Sequence, residues 1–167
     1  MSPHGANAGQ VPPSGGDLLF VYGSLRRGSS HHHILEGLHA LFAGPGTVEG
    51  QLFDLGSFPG AKPWPSDASA AAAGASALAS DVSSRVTGEL YRLRRPERDL
   101  AVLDRYEGFR PDFPAASFFR RGLARVRTRD GSFMEAWVYW LNRGASPRRV
   151  LTSGDYTRRK IAASESP

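Results

Sequence analysis

The chain has 167 residues, 40% of them hydrophobic and 22% charged, with no cysteine, a net charge of +5 and a pI near 10.1. That is enough material for one domain with a real core, and it excludes disulfide frameworks, thiolate metal sites and cysteine nucleophiles. No apolar run approaches the roughly 18 to 20 residues of a membrane span, and the N-terminus has no charged segment leading into an apolar one, so a cytoplasmic location is the default expectation.

The positive charge is almost all arginine, which suits bidentate contact with phosphates and carboxylates. The arginines are scattered, however, and thicken only toward the tail, at Arg143, Arg148, Arg149, Arg158 and Arg159. A solvated basic surface accounts for that pattern, so nucleic acid is not the expected partner.

In chain order, 1–16 is glycine, proline, serine and small residues with little to bury, and reads as a disordered leader. Asp17 to Gly28, DLLFVYGSLRRG, follows: Leu18, Leu19, Phe20, Val21 and Tyr22 predict a buried strand that Gly23 stops. Beyond it, Gly23, Ser24 and Leu25 can present backbone N–H groups and one hydroxyl to an anionic or carbonyl oxygen, or form an ordinary turn. His31, His32 and His33 are consecutive, so their side chains diverge and no metal site is expected from them. Ile34, Leu35, Leu38 and Leu41 predict a short helix over His32 to Leu41.

Gly44-Pro45-Gly46 punctuates the chain before a second strand, Thr47 to Leu55, which Phe58-Pro59-Gly60 turns away. Pro63 to Ser84 is rich in alanine and serine and reads as a flexible insertion, disordered or else a lid. Arg85 to Leu93 is a third strand, and Pro96 opens a helix with Leu100 and Leu103 on its buried face. Ser117 to Thr128 and Ser132 to Leu141 are strands joined at Asp130-Gly131. The last is apolar on both faces and is expected to be central. The pattern predicts an α+β fold, a small, mostly antiparallel β-barrel with one or two short helices, as a single domain over 17–157 followed by a tail at 158–167.

Leu100, Leu103 and Glu107 are spaced i, i+3, i+7, and Gly108 is a natural helix stop. Glu107 is therefore expected on the buried side at the helix C-terminus, where desolvation and the dipole both disfavour its anion and raise its pKa toward neutrality. A glutamate so tuned can accept and return a proton. A shift of one residue at the helix end would instead leave it in solvent.

Tyr22-Gly23-Ser24-Leu25 after an N-terminal strand, Gly50-Gln51-Leu52-Phe53-Asp54-Leu55, Gly88-Glu89-Leu90-Tyr91, Leu103-Asp104-Arg105-Tyr106-Glu107-Gly108, Trp137-Val138-Tyr139 and Ser153-Gly154-Asp155-Tyr156 occur in that order. Together they resemble the gamma-glutamylcyclotransferase-like (AIG2-like) family. Phe119-Arg120-Arg121 departs from the Tyr-x-Arg that members often carry, and 109–116 matches poorly.

The resemblance implies an enzyme that releases 5-oxoproline and a free amine from a gamma-glutamyl amide by intramolecular attack of the alpha-amino group. Glu107 would be the acid/base, Tyr22, Gly23, Ser24 and Leu25 the substrate loop and Tyr139 a pocket wall, with no metal or cofactor. The alternative is a non-catalytic member that binds a small acid or RNA. Neither the amide's identity nor the oligomeric state follows from the residues.

Overall fold

The computed structural model describes residues 16–64, 85–142 and 149–159. The leader, most of the insertion and the end of the tail fall outside them. Among the described residues, six strands and two helices frame the domain, with a further helical turn at 156–159: β1 (Leu18–Val21), α1 (His33–Gly37), β2 (Leu41–Asp54), β3 (Pro59–Pro63), β4 (Arg85–Arg92), α2 (Pro96–Glu107), β5 (Phe119–Thr128) and β6 (Phe133–Leu141). The order across the sheet is β3-β2-β4-β1-β6-β5, and a further β2–β5 pairing closes five of the strands into a barrel, with β3 as a flap on β2. Every pairing is antiparallel except β1 with β6, which is parallel at Leu19 and Trp137.

The unbroken apolar run of β1 has a direct cause in the two layers it serves. Leu18, Phe20 and Tyr22 join Val48, Leu52, Val86, Leu90 and Val138 inside the barrel. Leu19 and Val21 face outward, under the helices, with Leu25, Leu35, Leu100, Leu103, Tyr139 and Leu141. A strand buried on both faces needs apolar residues at every position. The same holds for β6, central as expected, where Ala136 and Val138 point inward and Trp137, Tyr139 and Leu141 outward.

Three elements differ from the sequence reading. Helix α1 is five residues long rather than ten, because Gly37 is followed by His39 in the left-handed region (φ 53°), and Leu41 starts a strand instead of completing a helical face. β2 begins six residues early and passes through Gly44-Pro45-Gly46 with a register shift between Phe42 and Gly44. Proline is tolerated there because pairing with β5 starts only at Gly46, so Pro45 stands on an open edge on that side. Pro59-Gly60, read as a turn, instead opens β3, paired residue for residue with Gly50–Asp54. The turn lies just before it, where the Leu55 N–H donates to the Phe58 carbonyl at 3.1 Å.

The helix α2 starts on Pro96 as predicted. The Asp99 carboxylate reaches back to accept from the Arg95 N–H at 2.9 Å, meeting one of the donors a helix N-terminus leaves unpaired. It ends at Gly108 (φ 68°), whose left-handed conformation suits glycine and stops the helix directly after Glu107.

Candidate active site

A cavity of about 370 Å³ opens at the C-terminal end of β1, between the loop that follows it and the end of α2. All six residues singled out from the sequence lie on it: Tyr22, Gly23, Ser24, Leu25, Glu107 and Tyr139. They come from three separate parts of the chain.

The loop is shaped by close packing. A Cβ on Gly23 would stand 2.8 Å from the Pro59 Cγ, so only glycine lets the loop pass the start of β3. Its carbonyls are occupied: Gly23 accepts from the Arg26 N–H and Ser24 from the His31 N–H, both at 3.1 Å. The N–H groups of Gly23, Ser24 and Leu25 donate to no acceptor among the described residues. They remain available to a bound oxygen.

Beneath the loop lies a polar clamp. The Glu89 carboxylate on β4 accepts from the Arg27 N–H at 3.0 Å and the Tyr91 hydroxyl at 2.9 Å. Arg26 reaches Asp155 at 2.8 Å and lies 3.7 Å from Glu89. Burial works to raise the pKa of Asp155, but hydrogen bonds from Thr157 and Arg26 outweigh it and hold the carboxyl below its ordinary range. The imidazole Nδ1 of His32 lies 2.8 Å from the Leu25 carbonyl, and the buried Leu35 of α1 packs in the same cluster as Leu25.

Of the three histidines only His32 points away: the rings of His31 and His33 lie 6.1 Å apart. His31 faces the cavity, His32 braces the loop, and His33 begins α1. Among the described residues, no three His, Asp or Glu side chains gather as a metal-holding group.

Glu107 is the last residue of α2 and the only carboxylate lining the cavity among the described residues. It has no hydrogen-bond or ion-pair partner there, and burial alone pushes its pKa from 4.5 up to about 7. The helix end is held in place from two sides. Tyr106 and Ser24 share a hydroxyl–hydroxyl hydrogen bond of 2.9 Å that ties α2 to the loop. One turn back, Asp104 accepts the Tyr139 hydroxyl at 2.7 Å and the Arg121 guanidinium at 2.9 and 3.0 Å.

The two predicted tyrosines therefore meet the cavity with their rings, while their hydroxyls are engaged in the fold. Tyr22 donates to the Tyr139 carbonyl at 2.7 Å and accepts from the Ala61 N–H at 3.1 Å, joining β1, β6 and β3. Burial, then the nearby Glu107 charge, holds the Tyr22 phenol far above its ordinary pKa. Burial and the hydrogen bond to Asp104 do the same for Tyr139.

Sequence reasoning assigned no role to Asp104, Arg121, Glu89, Arg26 or Asp155. All five except Arg26 stand within motifs quoted for the resemblance or its departure, yet their pairings join distant segments that no local spacing links.

Comparison with known proteins places the chain in a family and matches its fold. The family model described as gamma-glutamyl cyclotransferase, AIG2-like, matches residues 19–158, which take in every residue of the cavity. A Vibrio cholerae protein provisionally named a gamma-glutamylcyclotransferase is 30% identical over 142 residues, covering 85% of this chain and 96% of its own length. The fold matches a crystal structure of a mouse AIG2-like protein, with a TM-score of 0.61, 22% identity and coverage of 84% and 87% of the two chains. It also matches an uncharacterized protein from Pyrococcus horikoshii, with a TM-score of 0.55, 19% identity and coverage of 89% and 96%. A five-stranded barrel, a glycine loop at the end of its first strand and a helix-terminal glutamate thus occur in a chain that belongs to the AIG2-like gamma-glutamyl cyclotransferase family.

Proposed function

We propose that this protein converts a gamma-glutamyl amide to 5-oxoproline and a free amine, with Glu107 as the acid/base. The observation that carries the reading is the position of Glu107: a carboxylate with no partner among the described residues, its pKa raised to about 7, on the same cavity as a loop whose three backbone N–H groups donate to nothing among the described residues. The substrate's alpha-ammonium gives a proton to Glu107, and the freed amine attacks its own gamma-carbonyl carbon. As the new C–N bond forms and the old one breaks, Glu107 returns that proton to the departing nitrogen, and the second proton shed by the attacking nitrogen leaves on the released amine as its ammonium, so protons balance and no water is consumed.

Attack within one molecule requires a folded substrate more than strong polarisation, and the cavity supplies the fold's shape. In this reading the N–H groups of Gly23, Ser24 and Leu25 receive the developing oxyanion or the alpha-carboxylate. The Tyr22 and Tyr139 rings act as walls, since their hydroxyls are spent on Tyr139, Ala61 and Asp104. The chemistry calls for no metal or cofactor.

The test is Glu107→Gln assayed for 5-oxoproline release across a panel of gamma-glutamyl amides. Glutamine keeps the shape but cannot cycle a proton, so turnover should fall by roughly 10² to 10⁴ while the substrate still binds. Near wild-type turnover in the variant would remove Glu107 from the mechanism.

A further inference from the structure

Resting on that reading, we infer that the substituent on the leaving nitrogen is apolar and aromatic-sized, and that Phe58 and Phe118 select it. For Glu107 to return a proton, the leaving nitrogen must sit within hydrogen-bond reach of its carboxylate. What is attached to that nitrogen then lies against the wall beside Glu107. That wall is Phe118: a Cβ on Gly108, the residue after Glu107, would stand 3.9 Å from the Phe118 Cβ.

Phe118 meets Phe119 edge-on at 5.2 Å and Phe58 edge-on at 5.7 Å, so three rings form one continuous apolar surface. Phe58 is 36% exposed and Phe118 43%, whereas Phe119 is buried. Two exposed rings packed on a buried one at the mouth of a cavity are the kind of apolar patch that marks a ligand wall.

The wall is held rigid from behind. The Phe118 carbonyl accepts from the Asn142 N–H at 2.9 Å, and the Asn142 side-chain amide donates to the Ser117 carbonyl at 2.8 Å. The Ser117 hydroxyl, in turn, accepts from the Arg110 N–H at 2.8 Å. On the other side, Arg159 donates to the Gly56 carbonyl at 2.9 Å and pairs with Asp54 at 2.9 Å, fixing the turn that carries Phe58. Preformed aromatic walls bind apolar groups with little ordering cost.

The cavity lining carries little charge. Among the described residues, His31 is the only ionisable non-phenolic side chain on the cavity besides Glu107, and no lysine or arginine lines it. A carboxylate or ammonium on the leaving amine would lose water there for at most a contact with His31 or Glu107, whereas a ring gains contact and edge-to-face geometry.

The experiment compares gamma-glutamylbenzylamide, gamma-glutamylglycine and Nε-gamma-glutamyllysine. Affinity is measured by calorimetry on Glu107→Gln, and kcat/KM by 5-oxoproline release from the wild type. The benzylamide is expected to bind at least tenfold more tightly than either of the others. Phe118→Ala should cut that preference about tenfold, while Phe118→Leu retains most of it. Phe58→Ala provides a second reading of the same ratio should Phe118→Ala fail to fold. Equal affinities, or a preference for the glycine or lysine amide, would overturn the inference. A benzylamide preference with no 5-oxoproline from any amide would leave the aromatic subsite standing and remove the cyclotransferase reading instead.

Discussion

Glu107 sets two opposite pH dependences, and both follow from a folded pKa of about 7 against an ordinary 4.5. In the proposed mechanism Glu107 must be ionised to act as the base, so kcat/KM should rise with pH through about 7, a limb that a pH–rate profile of the wild type would display. Stability runs the other way. The fold favours the protonated carboxyl, so its contribution is fully present below pH 4.5 and is lost as pH rises to about 7. Glu107→Gln escapes that loss, and denaturant titrations at pH 4.5 and pH 8 should show it gaining on wild type by up to about 3 kcal/mol, since each tenfold change in proton affinity is worth about 1.4 kcal/mol. Tyr22 offers a contrasting case. Tyr22→Phe keeps the wall but strands the buried Tyr139 carbonyl and Ala61 N–H, an expected cost of about 1 to 3 kcal/mol read as a lowered Tm. The helical spacing of Leu100, Leu103 and Glu107 and the stop at Gly108 were enough to place the glutamate. Nothing local announced that the Tyr22 hydroxyl would be spent on β6 and β3, because those partners lie 117 and 39 residues away.

At the level of elements, α2 matters for where its last turn is held. Asp104, Arg121 and Tyr139 join the helix to β5 and β6 one turn before Glu107, and Arg121 also lies over the rings of Phe109 and Trp137, at 5.6 and 5.0 Å. Asp104→Ala should cost about 3 kcal/mol, the scale for stranding one member of a largely buried pair, and should lower kcat along with Tm. Asp104→Asn, which still accepts from the Tyr139 hydroxyl, should recover part of both. Elements whose signals are local were legible: the apolar run of β1, Pro96 and Gly108 around α2, and Asp130-Gly131 between β5 and β6. β3 and the early start of β2 were not. Both are broken by proline and glycine, at Gly44-Pro45-Gly46 and Pro59-Gly60, which mark turns by propensity and here serve as strand because β4 and Gly50–Asp54 supply partners. The aromatic wall stayed hidden for a related reason: Phe58 and Phe118 are 60 positions apart and meet only when β3 folds back onto β2.

Across the whole molecule, the insertion leaves and re-enters the barrel at adjacent points. Pro63 pairs with Gly50 and Arg85 with Glu49, so the two ends flank neighbouring residues of β2, about two strand spacings or roughly 10 Å apart. Deleting 66–81 leaves five residues between Pro63 and Arg85, ample for that span, and we expect Tm to stay within a few degrees of wild type in a thermal melt. The far end of the chain is the opposite case. Residues 149–159 donate and accept across β2 and β4 through Arg149, Leu151 and Gly154, and carry the Asp155 that pairs with Arg26 under the glycine loop. A chain ending before Arg149 should therefore lose both the loop clamp and the brace behind Phe58, and with them substrate affinity. The parallel contact between β1 and β6 also fixes an order of events during synthesis. β1 emerges first and finds β4 midway, but its other edge stays open until the final strand has left the ribosome. The wall that Tyr139 gives the cavity arrives with that strand, so a nascent chain is a sheet with an unsatisfied edge before its cavity is complete, and so distant a pair is expected to be slow to close.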